Sequence, residues 1–398
     1  MYAGFGIVGA VFYPFYAVVM TSRGLTPEGL GLLTAASALI SAAIGPAWGH
    51  LADRVWGRKI ALAIGESSSA IGILLFAFGD LPTAVVGSVL MAVAGSASSG
   101  SADALALSVA RDGGLRYAVT RALTSFTYAT TALAAGIAIR DGGSTAITPL
   151  LALGLACILL PIPTLHERRH VEPAQSKRSV RVKSGSVKTV GWRKRLGSID
   201  DVLRLSPAMG PFIAIIFIEA FSGTAFYRFG PLQISNLGGD EAMLGLGGAL
   251  AAYVEVPFIL NVRHLIKRLG LRRTFALSTM LMGCITASVG ILDSALAITL
   301  MRLLEGASFA TSLMCAVQII DRLVPRRLHA TGQSLYYSAG TIGAAVGGVV
   351  AGVMFAQIGA TPLFIASGAA LIATALLALR ILPRSTTLAA ADLAYGDK

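Results

Sequence analysis

Apolar runs of roughly one bilayer width recur along the whole chain, each followed by a short polar segment. The first set falls near residues 2–21, 29–48, 60–79, 83–109, 118–139 and 145–164. A second set falls near 208–229, 242–262, 274–292, 295–320, 332–356 and 361–382. A spanning helix needs about 20 predominantly apolar residues, so the pattern predicts twelve transmembrane helices. Between the sets lies 166–206, rich in Lys, Arg and Ser, which cannot bury a core and reads as a basic linker at the membrane surface. Within it, Ser198-Ile199-Asp200-Asp201-Val202-Leu203 has the pattern of a capped amphipathic turn lying at the interface. The predicted architecture is an all-α membrane protein with two pseudo-symmetric six-helix bundles. The bundles cover 1–165 and 207–384, with the linker at 166–206 and a cytoplasmic tail at 385–398.

Composition removes the soluble alternatives. Of 398 residues 55% are apolar and 13% charged, against about 25% charged in ordinary soluble domains. The mean hydropathy is +0.73. The net charge of +12 raises the question of nucleic acid, as does the block Arg193-Lys194-Arg195. No basic domain exists to carry that function, and no nucleic-acid partner is expected. The basic residues sit in alternate loops instead. With loops alternating sides, 27 of the 32 Lys and Arg fall on one side, and only Arg23 and Arg140 on the other. The positive-inside rule then puts the linker and both termini in the cytoplasm, as for a multi-pass protein of the plasma (cell inner) membrane.

The first apolar run lacks a basic leader and a small-residue cleavage site, so it reads as the first span. Cys157, Cys284 and Cys315 lie far apart within apolar runs and match no metal-ligand spacing. The five histidines fall in loops predicted to be cytoplasmic. With no nucleophile–base set, metal set or phosphate-cradling loop, neither enzyme, cofactor, metal nor ATP-driven pump is indicated.

The two sets share a local repeat. His50-Leu51-Ala52-Asp53-Arg54-Val55-Trp56-Gly57-Arg58-Lys59 follows the second run, and His264-Leu265-Ile266-Lys267-Arg268-Leu269-Gly270-Leu271-Arg272-Arg273 follows the eighth. Matching basic hairpins suggest duplicated halves with a substrate site between them near mid-membrane. Loop basicity alone produces part of this likeness.

At the first hairpin, Gly49-His50-Leu51-Ala52-Asp53-Arg54 followed by Gly57-Arg58-Lys59 resembles the loop motif of the major facilitator superfamily. That resemblance implies the major facilitator fold and secondary transport, with Gly49, Asp53, Arg54, Gly57 and Arg58 as a gating motif on the cytoplasmic side. One extra residue stands between Arg54 and Gly57 here. Further stretches are similar to the proton-coupled branch of lactose permease and phenylpropionate permease. They are Gly9-Ala10-Val11-Phe12-Tyr13-Pro14-Phe15, Gly24-Leu25-Thr26-Pro27-Glu28, Val254-Glu255-Val256 and Val324 to Gln333. The first run is about two turns shorter than the resemblance implies. The helix-5 glycine-proline motif of drug/proton antiporters is missing, since 118–139 holds no proline.

A charge at the bilayer centre costs roughly 2.5–3.5 kcal/mol on insertion scales, so each one needs a partner, water or a function. Arg121, Arg228, Arg302, Glu66, Asp103, Glu219, Glu255 and Glu305 all lie inside apolar runs. Asp103 and Arg121 are equidistant from the turn near Asp112, which predicts equal depth in an antiparallel hairpin. The resemblance implies a sugar-binding Glu–Arg pair there, so both are candidate substrate ligands; a structural ion pair is the plainer alternative. Glu255, with no basic residue at i±3 or i±4 within its apolar run, is a candidate for substrate binding or proton transfer. Arg302 and Glu305 are spaced to pair along one helix face, either as a salt bridge or as part of proton coupling. The resemblance places the proton carrier one residue before Phe309, where this chain has Ser308, leaving Glu255 and Glu305 as candidates. Glu219 and Arg228 lie about 180° apart on a straight helix, so Arg228 is expected to snorkel outward. Tyr13 and Tyr336 are candidate cavity-lining aromatics, although core packing or lipid contact is the commoner use.

The sequence therefore predicts a monomeric secondary transporter of a small polar or anionic organic solute. Protons are the expected coupling partner and rocker-switch alternating access the expected mechanism. An efflux pump of the same superfamily is the alternative.

Overall fold

The computed structural model describes residues 1–111, 117–164, 200–325 and 328–383, apart from the side chains of 46, 49, 50, 53, 54, 97–111, 117–121, 144 and 330. Most of the predicted linker and the whole predicted tail lie outside the described residues. The elements among the described residues are helices throughout. They are α1 (Tyr2–Ala10), α2 (Tyr16–Ser22), α3 (Pro27–Leu51), α4 (Arg58–Phe78), α5 (Leu81–Arg111), α6 (Tyr117–Gly142) and α7 (Thr148–Leu159). The second set is α8 (Met209–Thr224), α9 (Gly230–Asn236), α10 (Glu241–Leu269), α11 (Leu271–Val289), α12 (Ala295–Leu323), α13 (His329–Ile358) and α14 (Ala360–Ile381).

Twelve uninterrupted spans were expected, and the structure corrects that count. Nine helices among the described residues are long and apolar enough to cross a membrane. The first predicted run is broken into α1 and α2 across Val11–Phe15. Pro14 has no N–H to donate, and its ring clashes with the carbonyl one turn back. The chain there falls into tighter turns, Phe12 N–H bonding to Gly9 O and Phe15 N–H to Phe12 O. α11 is a second departure: its first turn carries Arg272, Arg273 and Thr274, and it buries Ser278, Thr279 and Thr286. Those hydroxyls bond to carbonyls one turn back, so they are carried inside the bundle without orphaned donors. In α5 the apolar stretch found is the shorter Leu81–Ser96.

The internal repeat is explicit in the backbone. Left-handed glycines come in pairs at equivalent turns of the two sets: Gly24 with Gly238, Gly57 with Gly270, and Gly143 with Gly359. Gly57 (φ 84°, ψ 153°) and Gly270 (φ 83°, ψ 150°) have nearly identical conformations, which only glycine adopts without strain. Ahead of Gly57, a π-helical turn over Ala52–Trp56 absorbs the extra residue of the first hairpin, a usual role for a single wide turn. The α4–α5 turn is fixed by Asp80, which accepts from the N–H (3.1 Å) and the hydroxyl of Thr83. Those bonds hold the exposed Asp80 carboxyl below the usual carboxylate range. A short helix over 200–205 buries Val202 against Met209 and Phe212 and leaves Asp200, Asp201 and Leu203 exposed, which is the interfacial pattern expected of it.

Helices in lipid gain little from the hydrophobic effect and associate through close contact of small residues. Two such crossings join the first set to the second. Gly31 of α3 meets Gly348 and Gly352 of α13, and Gly136 of α6 meets Glu241 and Gly245 of α10. A Cβ at Gly31 would collide with the carbonyl oxygen of Gly348, and one at Gly245 with that of Ala132. Both crossings lie at the end that carries the Gly24, Gly143, Gly238 and Gly359 turns.

Candidate functional site

Below these crossings the helices part around a cavity of about 1420 Å3. At the opposite end of the cavity, a Cβ built on Gly45, Gly95 or Gly340 would meet none of the described side chains within 4 Å. The space is therefore sealed at one end and widens toward the Gly57 and Gly270 hairpins. Its wall is largely apolar and aromatic and includes Tyr13, Tyr16, Tyr128, Tyr227, Tyr336 and Tyr337. Four charged residues join them: Glu66, Glu219, Arg228 and Arg302.

Each charge has a distinct setting. Ser312 Oγ donates to Glu219 Oε1 at 2.8 Å. Thr279 Oγ1 lies 3.2 Å from both Glu219 Oε1 and the Phe275 carbonyl, so its single proton serves one of them. Arg302 Nη1 lies 3.4 Å from Glu305 Oε2, an ion-pair distance without hydrogen-bond geometry, and its guanidinium stands 5.1 Å from the Phe226 ring centre. Glu305 is only 3% exposed. A side chamber of about 220 Å3 adjoins this pair, lined by Ser125 and Tyr128 of α6, Glu255 of α10, and Arg302 and Glu305 of α12. Across it Ser125 Oγ donates to Glu255 Oε2 at 3.3 Å. Arg228 stands 5.8 Å from the ring centre of Tyr16. The site thus offers ionisable groups of both signs and hydroxyls among helices long and apolar enough to cross a membrane, which suits reversible binding of a polar solute. No group of three or more metal-ligating side chains occurs among the described residues.

A family model, the MFS_1 like family, matches residues 1–366. The chain belongs to that family. A maltose permease from Geobacillus stearothermophilus is 26% identical over 362 residues, covering 89% of this chain and 86% of the permease. The fold is shared with solved transporters. A mutant form of the nucleoside transporter NupG superposes with a TM-score of 0.78 at 14% identity, covering 96% of this chain and 98% of NupG. An auto-inhibited POT family peptide transporter gives 0.72 at 13% identity, covering 97% and 96%. This MFS_1 like protein is accordingly a multi-pass membrane transporter of a small molecule and not an enzyme.

Within that frame the predicted site residues divide. Tyr13, 58% exposed, and Tyr336 both face the large cavity, Tyr336 packing edge-on to Tyr337 at 5.1 Å. Glu255, Arg302 and Glu305 come together at the side chamber, although no basic residue stands at i±3 or i±4 from Glu255 on its own helix. Gly57 begins the α4 hairpin and Arg58 is its first helical residue. The side chains of Asp103, Arg121, Gly49, Asp53 and Arg54 lie outside the described residues. Arg228 departs from expectation: it lines the cavity instead of snorkelling outward. The cause is a π-helical turn over Ala225–Phe229, which inserts extra backbone and rotates Arg228 toward the face that carries Glu219. Glu66 also lines the cavity and is 4% exposed.

Proposed function

We propose that the protein is a secondary active transporter of a small polar or anionic organic solute in the plasma membrane. It works as a monomer, by rocker-switch alternating access, with protons as the coupling ion. The bundles at 1–165 and 207–384 rock about the central cavity, and both termini are cytoplasmic. By its sequence resemblance we assign it to the lactose permease and phenylpropionate permease branch. One observation carries the reading: a single large charged cavity is sealed at one end by glycine crossings and widens at the other. A carrier needs that asymmetry, because simultaneous opening at both ends would dissipate the gradient. In the predicted orientation the open end is cytoplasmic, so the conformation corresponds to the inward-facing state.

Asp103, Arg121, Glu255, Tyr13 and Tyr336 are the proposed solute ligands. Glu255 and Glu305, with Arg302 as counter-charge, are the proposed proton-handling group. A desolvated carboxylate favours its neutral form, so proton uptake and solute binding become linked. Gly49, Asp53, Arg54, Gly57 and Arg58 act as the cytoplasmic gate. Entrance counterflow in proteoliposomes, screened over sugars, nucleosides and organic acids with an internal pH dye, tests the proposal. Counterflow with proton entry supports it. Tight solute binding without counterflow would make the protein a receptor, and counterflow without proton movement would remove the coupling.

A further inference from the structure

The transporter reading leaves one charge unexplained. Of the two cavity-lining cations among the described residues, Arg302 has Glu305 beside it, whereas no carboxylate of the described residues stands at ion-pair distance from Arg228. Its guanidinium faces the Tyr16 ring instead, an attraction that steadies it without neutralising it or occupying a fork of hydrogen bonds. The side chain is also held from behind. The π-helical turn that carries it is anchored by Phe226 and Phe229, 1% and 0% exposed, and Phe229 packs on Phe355 at 5.4 Å. Arg228 precedes the short helix α9 and the turn at Gly238, so it stands toward the sealed end of the cavity. A guanidinium carried into a membrane without a counter-charge is costly, and such residues mark ligand or ion pathways. Its planar array of donors matches a carboxylate bidentately.

Resting on the transporter reading, we propose that Arg228 anchors a carboxylate on the transported solute at the sealed end of the cavity, with Tyr16 backing the guanidinium. The solute is then an organic acid whose body lies toward the tyrosine-lined, open part of the cavity. This assignment is independent of Glu255 and the Arg302–Glu305 pair, which share the side chamber.

The test uses the purified full chain and matched pairs of solutes: 3-phenylpropionate with 3-phenylpropionamide, nicotinate with nicotinamide, and gluconate with glucose. Thermal stabilisation reads binding, and counterflow in proteoliposomes reads transport. At least one acid is expected to bind while its neutral twin does not. Arg228→Gln should weaken that acid by about 30-fold or more, the size expected when one partner of a buried charge pair is truncated. Arg228→Lys, which keeps charge but loses the fork, should weaken it by a smaller factor, and it serves if Arg228→Gln fails to fold. Tyr16→Leu should also weaken it. Equal binding of acid and neutral twin, unchanged affinity in both Arg228 variants, or no stabilisation by any acid overturns the proposal. Counterflow of a neutral solute alone, unaffected by Arg228→Gln, overturns it while sparing the transporter reading. An acid that binds through Arg228 without counterflow does the reverse.

Discussion

Ser125 of α6 donates its hydroxyl to Oε2 of Glu255 on α10 across 3.3 Å, joining a helix of the first set to one of the second. The bond spans the chamber that also holds Arg302 and Glu305, so the charge on Glu255 bears on how the two sets meet. If Glu255 carries the coupling proton, Glu255→Gln fixes it in the neutral form. We expect solute exchange to persist in that variant with weakened affinity, since Glu255 is also a proposed solute ligand, while uphill transport driven by a pH gradient falls to background. Ser125→Ala removes a single neutral donor to a charged acceptor, worth about 1.5–3 kcal/mol at most, and should alter rate without abolishing coupling. Paired flux and internal-pH recordings on both variants check this.

The Arg302–Glu305 pair predicts a stability asymmetry. Arg302→Leu leaves a carboxylate that is 3% exposed without its counter-charge, and breaking a buried pair from one side costs about 3–5 kcal/mol. The double variant Arg302→Leu/Glu305→Leu should recover most of that loss and still fail to transport uphill. Thermal unfolding in one detergent, alongside uptake, separates the two effects. A double variant as unstable as the single one would refute the assignment.

The helix crossings predict a conformational bias. A side chain at Gly31 has to displace the backbone of Gly348, and overpacking of this kind costs about 1–3 kcal/mol. Gly31→Val should therefore disfavour the sealed arrangement and slow turnover. Gly45→Ala, where an added Cβ meets open space, should leave transport near that of the parent. Thiol accessibility of a cysteine introduced at Tyr13, read from the sealed side, should rise in Gly31→Val alone.

Much of this architecture was legible in the chain itself, because hydropathy and loop charge are additive, local signals. The apolar runs located most helices, whereas the break between α1 and α2 at Pro14 lies inside one continuous apolar run, so hydropathy alone does not show it. Matching basic hairpins announced the repeat that Gly57 and Gly270 make explicit. The spacing of Arg302 and Glu305 gave their pairing directly, since i,i+3 neighbours meet on any α-helix. On a straight helix Arg228 would lie opposite Glu219; the π-helical turn that brings it to the cavity has no sequence signature comparable to proline. Glu255 joined Ser125 and Arg302 through contacts between helices far apart in sequence, which periodicity within one helix does not encode.

The central claim is that the sealed and open ends exchange. Spin-label pairs at Ile60 and Lys267 for the open end, and at Asp141 and Ile358 for the sealed end, use exposed positions in the first and second sets. Their distance distributions, measured in lipid with and without a solute that supports counterflow, test it most directly. Alternating access predicts opposite shifts, with the Ile60–Lys267 distance shortening as the Asp141–Ile358 distance lengthens. Two distributions that stay fixed, or lengthen together, during active exchange would contradict it.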